Sequence, residues 1–270
     1  MSGQNGARER GFSLIELVMA LAIFLIVCGV AFEMLLGAMK RYHDDSQLLN
    51  SFQEARFGLD QMVRDVNDAG FPPRNQFEAG VTPAVNLYAS TAFAWSGTSY
   101  PNTPCTIGTN CVTPSDYDLI VETEMNPNGP APHTVQWVRY KLIGTTLYRG
   151  VLDKSSSPTA DPDGLTSGTD VLVPYVQNVM NNPPAAQLAS LQAVYPAMYP
   201  GGNPVPMFQY FCESVPQPRA CTDPLASTND PTHVVGVIIT LIVQAPTTEM
   251  QTGVPRLVQL KGQGRRINPN

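Results

Sequence analysis

Glu16 stands at the head of an apolar run that continues from Leu17 to Phe32 without a charge. A carboxylate in a segment apolar enough to enter a bilayer costs a few kcal/mol unless a cation meets it, so its chemistry is ion pairing at low dielectric. Five cysteines form the second reactive set. Cys28 lies inside the apolar run, where a thiol acts as a small hydrophobe. Cys105, Cys111, Cys212 and Cys221 fall in Pro- and Thr-rich stretches, and form disulfides if that part of the chain is exported. Four cysteines allow three pairings. The local pairs, Cys105 with Cys111 and Cys212 with Cys221, are favoured because each closes a short loop otherwise poor in apolar residues. Zinc is the alternative, but there is no CxxC pair and His43, His133 and His233 show no ligand spacing, so no metal is expected.

Other reactive patterns are sparse. The chain holds no GxSxG elbow, HExxH pair, phosphate-binding loop or dinucleotide fingerprint, and no cofactor or enzymatic activity is expected. Asp161-Pro162-Asp163-Gly164, with Asp170 beyond, begins like a calcium loop but lacks the remaining ligands and the closing Glu. Glu122 and Glu124 share one face of a predicted strand and read as solvent-facing, not as a catalytic dyad.

The elements that position these residues follow from composition and periodicity. Only 14% of the 270 residues are charged, and 25 Pro and 21 Gly indicate a loop-rich, extracytoplasmic body. The net charge of -6 gives no footprint for nucleic acid, and Lys261, Arg265 and Arg266 form only a small basic group. The apolar run, extended by Phe12 to Ile15 and Met34 to Met39, is long enough to span a bilayer. It is too long for a cleaved signal peptide, and Glu33 to Tyr42 offer no clean Ala-x-Ala site. Arg8 and Arg10 favour a cytoplasmic N-terminus, but Lys40 and Arg41 weaken that asymmetry.

The string Arg10-Gly11-Phe12-Ser13-Leu14-Ile15-Glu16-Leu17-Val18 resembles the leader of type IV prepilins and type II secretion pseudopilins. The resemblance implies cleavage between Gly11 and Phe12 by a membrane-bound prepilin peptidase on the cytoplasmic face, and methylation of the new Phe12 amine. That amine is then the cation for Glu16 of an adjacent subunit, which makes Glu16 an assembly-register device. Met62 to Phe71, the stretch VRYKLIGTTLYRG, the segments VPYVQNV and FQYF, and Arg265-Arg266-Ile267-Asn268 resemble PilW-type minor pilins and, next, J-type minor pseudopilins.

Beyond the span, Leu48, Phe52, Ala55, Leu59, Met62, Val66 and Ala69 recur at spacings of four and three, with Asp60, Arg64 and Asp65 mostly off that stripe. One helix is therefore predicted from Phe12 to about Ala69, stopped by Gly70 and Pro72-Pro73. Strands are predicted at 116–125, 134–143 and 146–152, the last two a hairpin turning at Gly144-Thr145. Val234 to Val243, apolar on both faces, reads as the central strand. Shorter strands at 171–173, 207–211 and 257–260 and a helix at 185–195 complete the list. The fold class is α+β and pilin-like: a long N-terminal helix, its first half transmembrane, on an antiparallel β-sheet head.

The expected organisation is a cytoplasmic leader at 1–11, a transmembrane helix at 12–39, its amphipathic continuation at 40–70 and an exported head at 71–270. The expected role is a low-abundance pilin subunit in the inner membrane and then in a pilus. Expected partners are the prepilin peptidase, other pilin or pseudopilin subunits, an inner-membrane assembly platform and lipid, with no nucleic acid. The alternatives are a minor pseudopilin of a type II secretion system, and a tip adhesin or DNA-uptake subunit acting through loops 88–113 and 181–206.

Overall fold

The computed structural model describes residues 13–71, 91–96, 100, 103–125, 135–154, 162, 172–226, 228–248 and 254–267. The chain divides into two compact units, residues 1–47 and 48–270. Helix α1 (Leu14–Asn67) supplies the described part of the first and enters the second. In the first unit, residues 14 to 43 are exposed except for half-buried Cys28. In the second, Ala55, Leu59, Met62 and Val66 are buried, in agreement with the predicted stripe. The charge pattern misleads at one position: Asp65 lies on the buried face, 5% exposed.

The helix stops where the sequence places its glycine. Gly70 takes φ +77°, a conformation that costs a glycine least, and its N–H donates to the Glu122 carbonyl at 2.7 Å. The helix end is thereby fastened to the first strand. Pro72 and Pro73 lie outside the described residues.

Among the described residues the head holds two four-stranded antiparallel sheets, where the sequence suggested one. The first has strand order β1-β2-β3-β4, with β1 Asp118–Thr123, β2 Gln136–Ile143, β3 Thr146–Asp153 and β4 Leu172–Val176. The β2–β3 hairpin turns at Gly144-Thr145, in the register that pairs Ile143 with Thr146. The second sheet runs β6-β5-β7-β8, with β5 Phe208–Cys212, β6 Arg219–Ala220, β7 Val234–Thr248 and β8 Pro255–Arg265. β7 is central, flanked by β5 and β8, which explains why Val234 to Val243 has no polar face. Helix α2 (Ala185–Val194) buries Leu188 and Leu191 in a separate cluster with Ile242 and Leu257.

The lower part of α1 lies against both sheets at close range. A Cβ on Gly58 would come within 2.6 Å of Val176 on β4, and one on Gly264 within 2.5 Å of Val66 from β8. Bare backbone at these points lets the helix settle between the sheets, and its apolar stripe joins Val121, Val138, Leu147, Val237 and Ile239 in one core. One expectation is overturned in β1. Every residue of that strand is buried, Glu122 is fully enclosed and Glu124 is 8% exposed, so neither faces solvent. Residues 92–94 cover the outer edge of β1: Ala94 N–H donates to the Ile120 carbonyl, and Glu122 N–H to that of Ala92.

Candidate functional site

The helix bearing Glu16 begins with Ser13, whose carbonyl accepts from the Glu16 N–H at 3.0 Å and the Leu17 N–H at 3.2 Å. Glu16 thus occupies the first turn of α1, where unpaired N–H groups and the helix dipole favour a negative side chain. Its carboxylate is exposed and has no ion-pair partner among the described residues. Gly11 and Phe12 lie outside them. Around Glu16 the apolar side chains are exposed on every face of the helix: Leu14 is 82% exposed, Leu17 62%, Leu21 57%, Phe24 63% and Leu25 60%. A helix apolar all round is stable only when covered by lipid or by other helices. This one is long and apolar enough to cross a membrane. Sequence reasoning passed over a second carboxylate in the same stretch, Glu33, set between Phe32 and Met34. Its spacing of four residues from both Gly29 and Gly37 was the available signal.

In the head the buried charges pair across elements far apart in sequence. Asp65 Oδ2 accepts from Tyr140 Oη at 2.6 Å and Arg149 Nη2 at 3.1 Å, joining α1 to β2 and β3. Burial first, and the Asp65 charge second, push the Tyr140 hydroxyl well above its ordinary range. Glu122 Oε2 accepts from Lys154 Nζ at 2.7 Å, while Thr91 and Tyr100 donate to Oε1. Tyr100 is raised in the same way, by burial and then by Glu122. Trp95 and Trp137 pack edge-on against Tyr100, with ring centroids 4.7 and 6.2 Å away. Asp118 holds Arg139, whose Nε donates at 2.8 Å. Each of these acids faces a cation, an arrangement that ties strands together.

Cys105 is bonded to Cys111 and Cys212 to Cys221, each with Cα atoms 4.9 Å apart. The first loop leans on the segment that follows the second: a Cβ on Gly108 would meet Thr222 at 2.7 Å, and the Ile107 N–H donates to the Asn229 carbonyl at 2.7 Å. Together with β5 they wall a groove of about 600 Å³ that includes Asp116, Tyr117, Phe208 and Tyr210. Burial and neighbouring Asp116 push the Tyr117 hydroxyl up to about 12.

The remaining sequence candidates scatter. His43 bonds Gln47 on α1, His233 bonds Asp230 in the head, and His133 lies outside the described residues. So do Asp161, Asp163, Gly164 and Asp170. Arg266 pairs with Glu213 at 3.1 Å, while Lys261 and Arg265 are exposed. Loop 181–206 carries α2.

Residues 6–32 match the family model described as the prokaryotic N-terminal methylation motif. A comparison with curated proteins returns no match. Among solved structures, a type IV-like pilin from Thermus thermophilus aligns over 81% of this chain and 97% of its own, with 11% identity and a TM-score of 0.38.

Proposed function

We propose that the chain is a membrane-anchored prepilin that becomes, after cleavage and methylation, a minor subunit of a type IV pilus or a closely related filament. The observation that carries the reading is Glu16. It is an exposed carboxylate without a described partner, in the first turn of a helix apolar on every face, within the residues that match the methylation motif.

The mechanism follows from electrostatics. Removal of residues 1–11 leaves a cationic amine at Phe12, and residues 12–39 first hold the subunit in the inner membrane. Residues 40–70 continue the helix into a head formed by 71–270 outside the cytoplasm. When helices pack side by side in a filament with an axial offset, the Phe12 amine of one subunit meets Glu16 of another. At low dielectric that attraction is far stronger than in water, and it is lost if the offset is wrong. The pair therefore selects a register. Partners are the prepilin peptidase, the assembly platform and neighbouring subunits, and the chain performs no turnover chemistry.

Intact mass and N-terminal sequencing of the membrane-extracted protein test the reading. A chain starting at Phe12 with an added methyl group is expected. A start at Met1, or beyond the apolar run, would overturn it.

A further inference from the structure

Glu33 is the second carboxylate of the apolar helix, and it too is exposed with no ion-pair partner among the described residues. Residues 33, 37 and 41 follow at helical spacing of four, so they share a face. Glu33 and Arg41 line one open groove together with Val30, Met34, Gly37 and Ala38. A Cβ added at Gly29 or Gly37 would meet nothing within 4 Å, so the backbone is bare on either side of Glu33. Within one helix Glu33 and Arg41 are eight residues, or about 12 Å, apart and do not reach each other.

We propose that this face receives the same helix of a second copy of the chain, displaced by eight residues along the axis, so that Arg41 of the second copy pairs with Glu33 of the first. The inference rests on the filament-subunit reading above. Copies inserted by one leader run parallel, and among parallel helices this offset, about 12 Å, brings the two opposite charges level. Gly29 and Gly37 let the backbones approach closely, as small residues do between helices in membranes. A lipid phosphate would suit Arg41 but would be repelled by Glu33, which lines the same groove. The contact places at least two copies side by side in the filament. The offset differs from the four-residue spacing of Phe12 and Glu16, so the two pairs describe two different neighbours.

The offset predicts that Val30 of one copy lies beside Ala38 of the next. Full-length copies carrying Cys28→Ser, one with Val30→Cys and the other with Ala38→Cys, are co-expressed and oxidised in intact membranes. A disulfide-linked dimer is expected. Its yield relative to inserted protein should fall about tenfold when the Val30→Cys copy also carries Glu33→Gln. Exchanging the charges, Glu33→Arg in that copy and Arg41→Glu in the other, should restore it. A dimer indifferent to Glu33→Gln, or no dimer, would overturn the proposal. N-terminal sequencing of the same membranes separates the two ideas. A start at Phe12 without the dimer removes only the Glu33 contact, whereas a start at Met1 removes the filament reading whatever the dimer yield.

Discussion

Asp65 on α1 and Arg149 on β3, 84 residues apart, share an ion pair of 3.1 Å with the Tyr140 hydroxyl bonded to the same carboxylate oxygen. Arg149 also lies 5.6 Å from the centre of the Tyr140 ring. The helix is therefore fixed to the first sheet by a charge buried in its otherwise apolar face.

Removing that charge strands two donors. Asp65→Ala is expected to destabilise the protein by about 3 kcal/mol, since breaking a buried pair leaves its partner unsatisfied, whereas Tyr140→Phe should cost about 1 kcal/mol. Urea unfolding of the detergent-solubilised chain reads both. Trp95 and Trp137, the two tryptophans, are 1% and 2% exposed, so their fluorescence reports the head. Equal midpoints for the two variants would show that the carboxylate is not the fastening group.

Glu122 and Lys154 should be strongly coupled. Lys154→Met alone leaves a fully enclosed carboxylate without its cation, and a loss of roughly 3 kcal/mol is expected. Adding Glu122→Gln should recover most of that loss, because Thr91 and Tyr100 still donate to the amide oxygen and a neutral amide costs far less to enclose than an unpaired carboxylate. Simple additivity of the two single losses would contradict the coupling.

Alkaline pH should unfold the head cooperatively. The Tyr117 hydroxyl moves from its ordinary 10 up to about 12 in the fold. Burial raises Tyr100, Tyr140 and Tyr210 as well. Between these values the unfolded chain has already released protons that the fold retains, so the stability contributed by the neutral hydroxyls is complete below pH 10 and falls as pH rises towards 12. Tyrosinate absorbance should lag and then rise together with the loss of buried tryptophan fluorescence. Smooth ionisation of all tyrosines at constant fluorescence would refute this.

Glu16→Ala should leave cleavage at Gly11 intact and reduce recovery in filaments about tenfold, the loss of one low-dielectric pair. Immunoblotting of sheared filaments against membranes measures it, and normal recovery would sink the register argument. A bulky residue in place of Gly11 should leave the uncut precursor in the membrane. A mature form recovered from that variant would move the cleavage site elsewhere.

Much of the architecture was legible because it depends on neighbours in sequence. The apolar run and the stripe through Ala55, Leu59, Met62 and Val66 specify a helix by period alone, and Gly70 ends it for a local conformational reason. The β2–β3 hairpin needs only two alternating segments and a turn at Gly144-Thr145. The doubly apolar Val234 to Val243 marked the central strand for the same reason that it occupies the centre.

What the tertiary structure alone decided is which charges go inside. Asp65 reads as a polar-face residue and Glu122 as a solvent-facing acid because the sequence shows a carboxylate without its partner. Arg149 and Lys154 arrive only when β3 and the residue after it fold back, 84 and 32 positions away. Burial of an ionised group is favourable only once its counter-charge is in place, and that is a property of the assembled fold. The division of the strands into two sheets is likewise a tertiary result: α1 meets the first at Gly58 against Val176 and the second at Val66 against Gly264, contacts between residues far apart in sequence. At the other end of the chain composition alone shows a helix long and apolar enough to cross a membrane, and the cation proposed for Glu16 is read from the same local sequence.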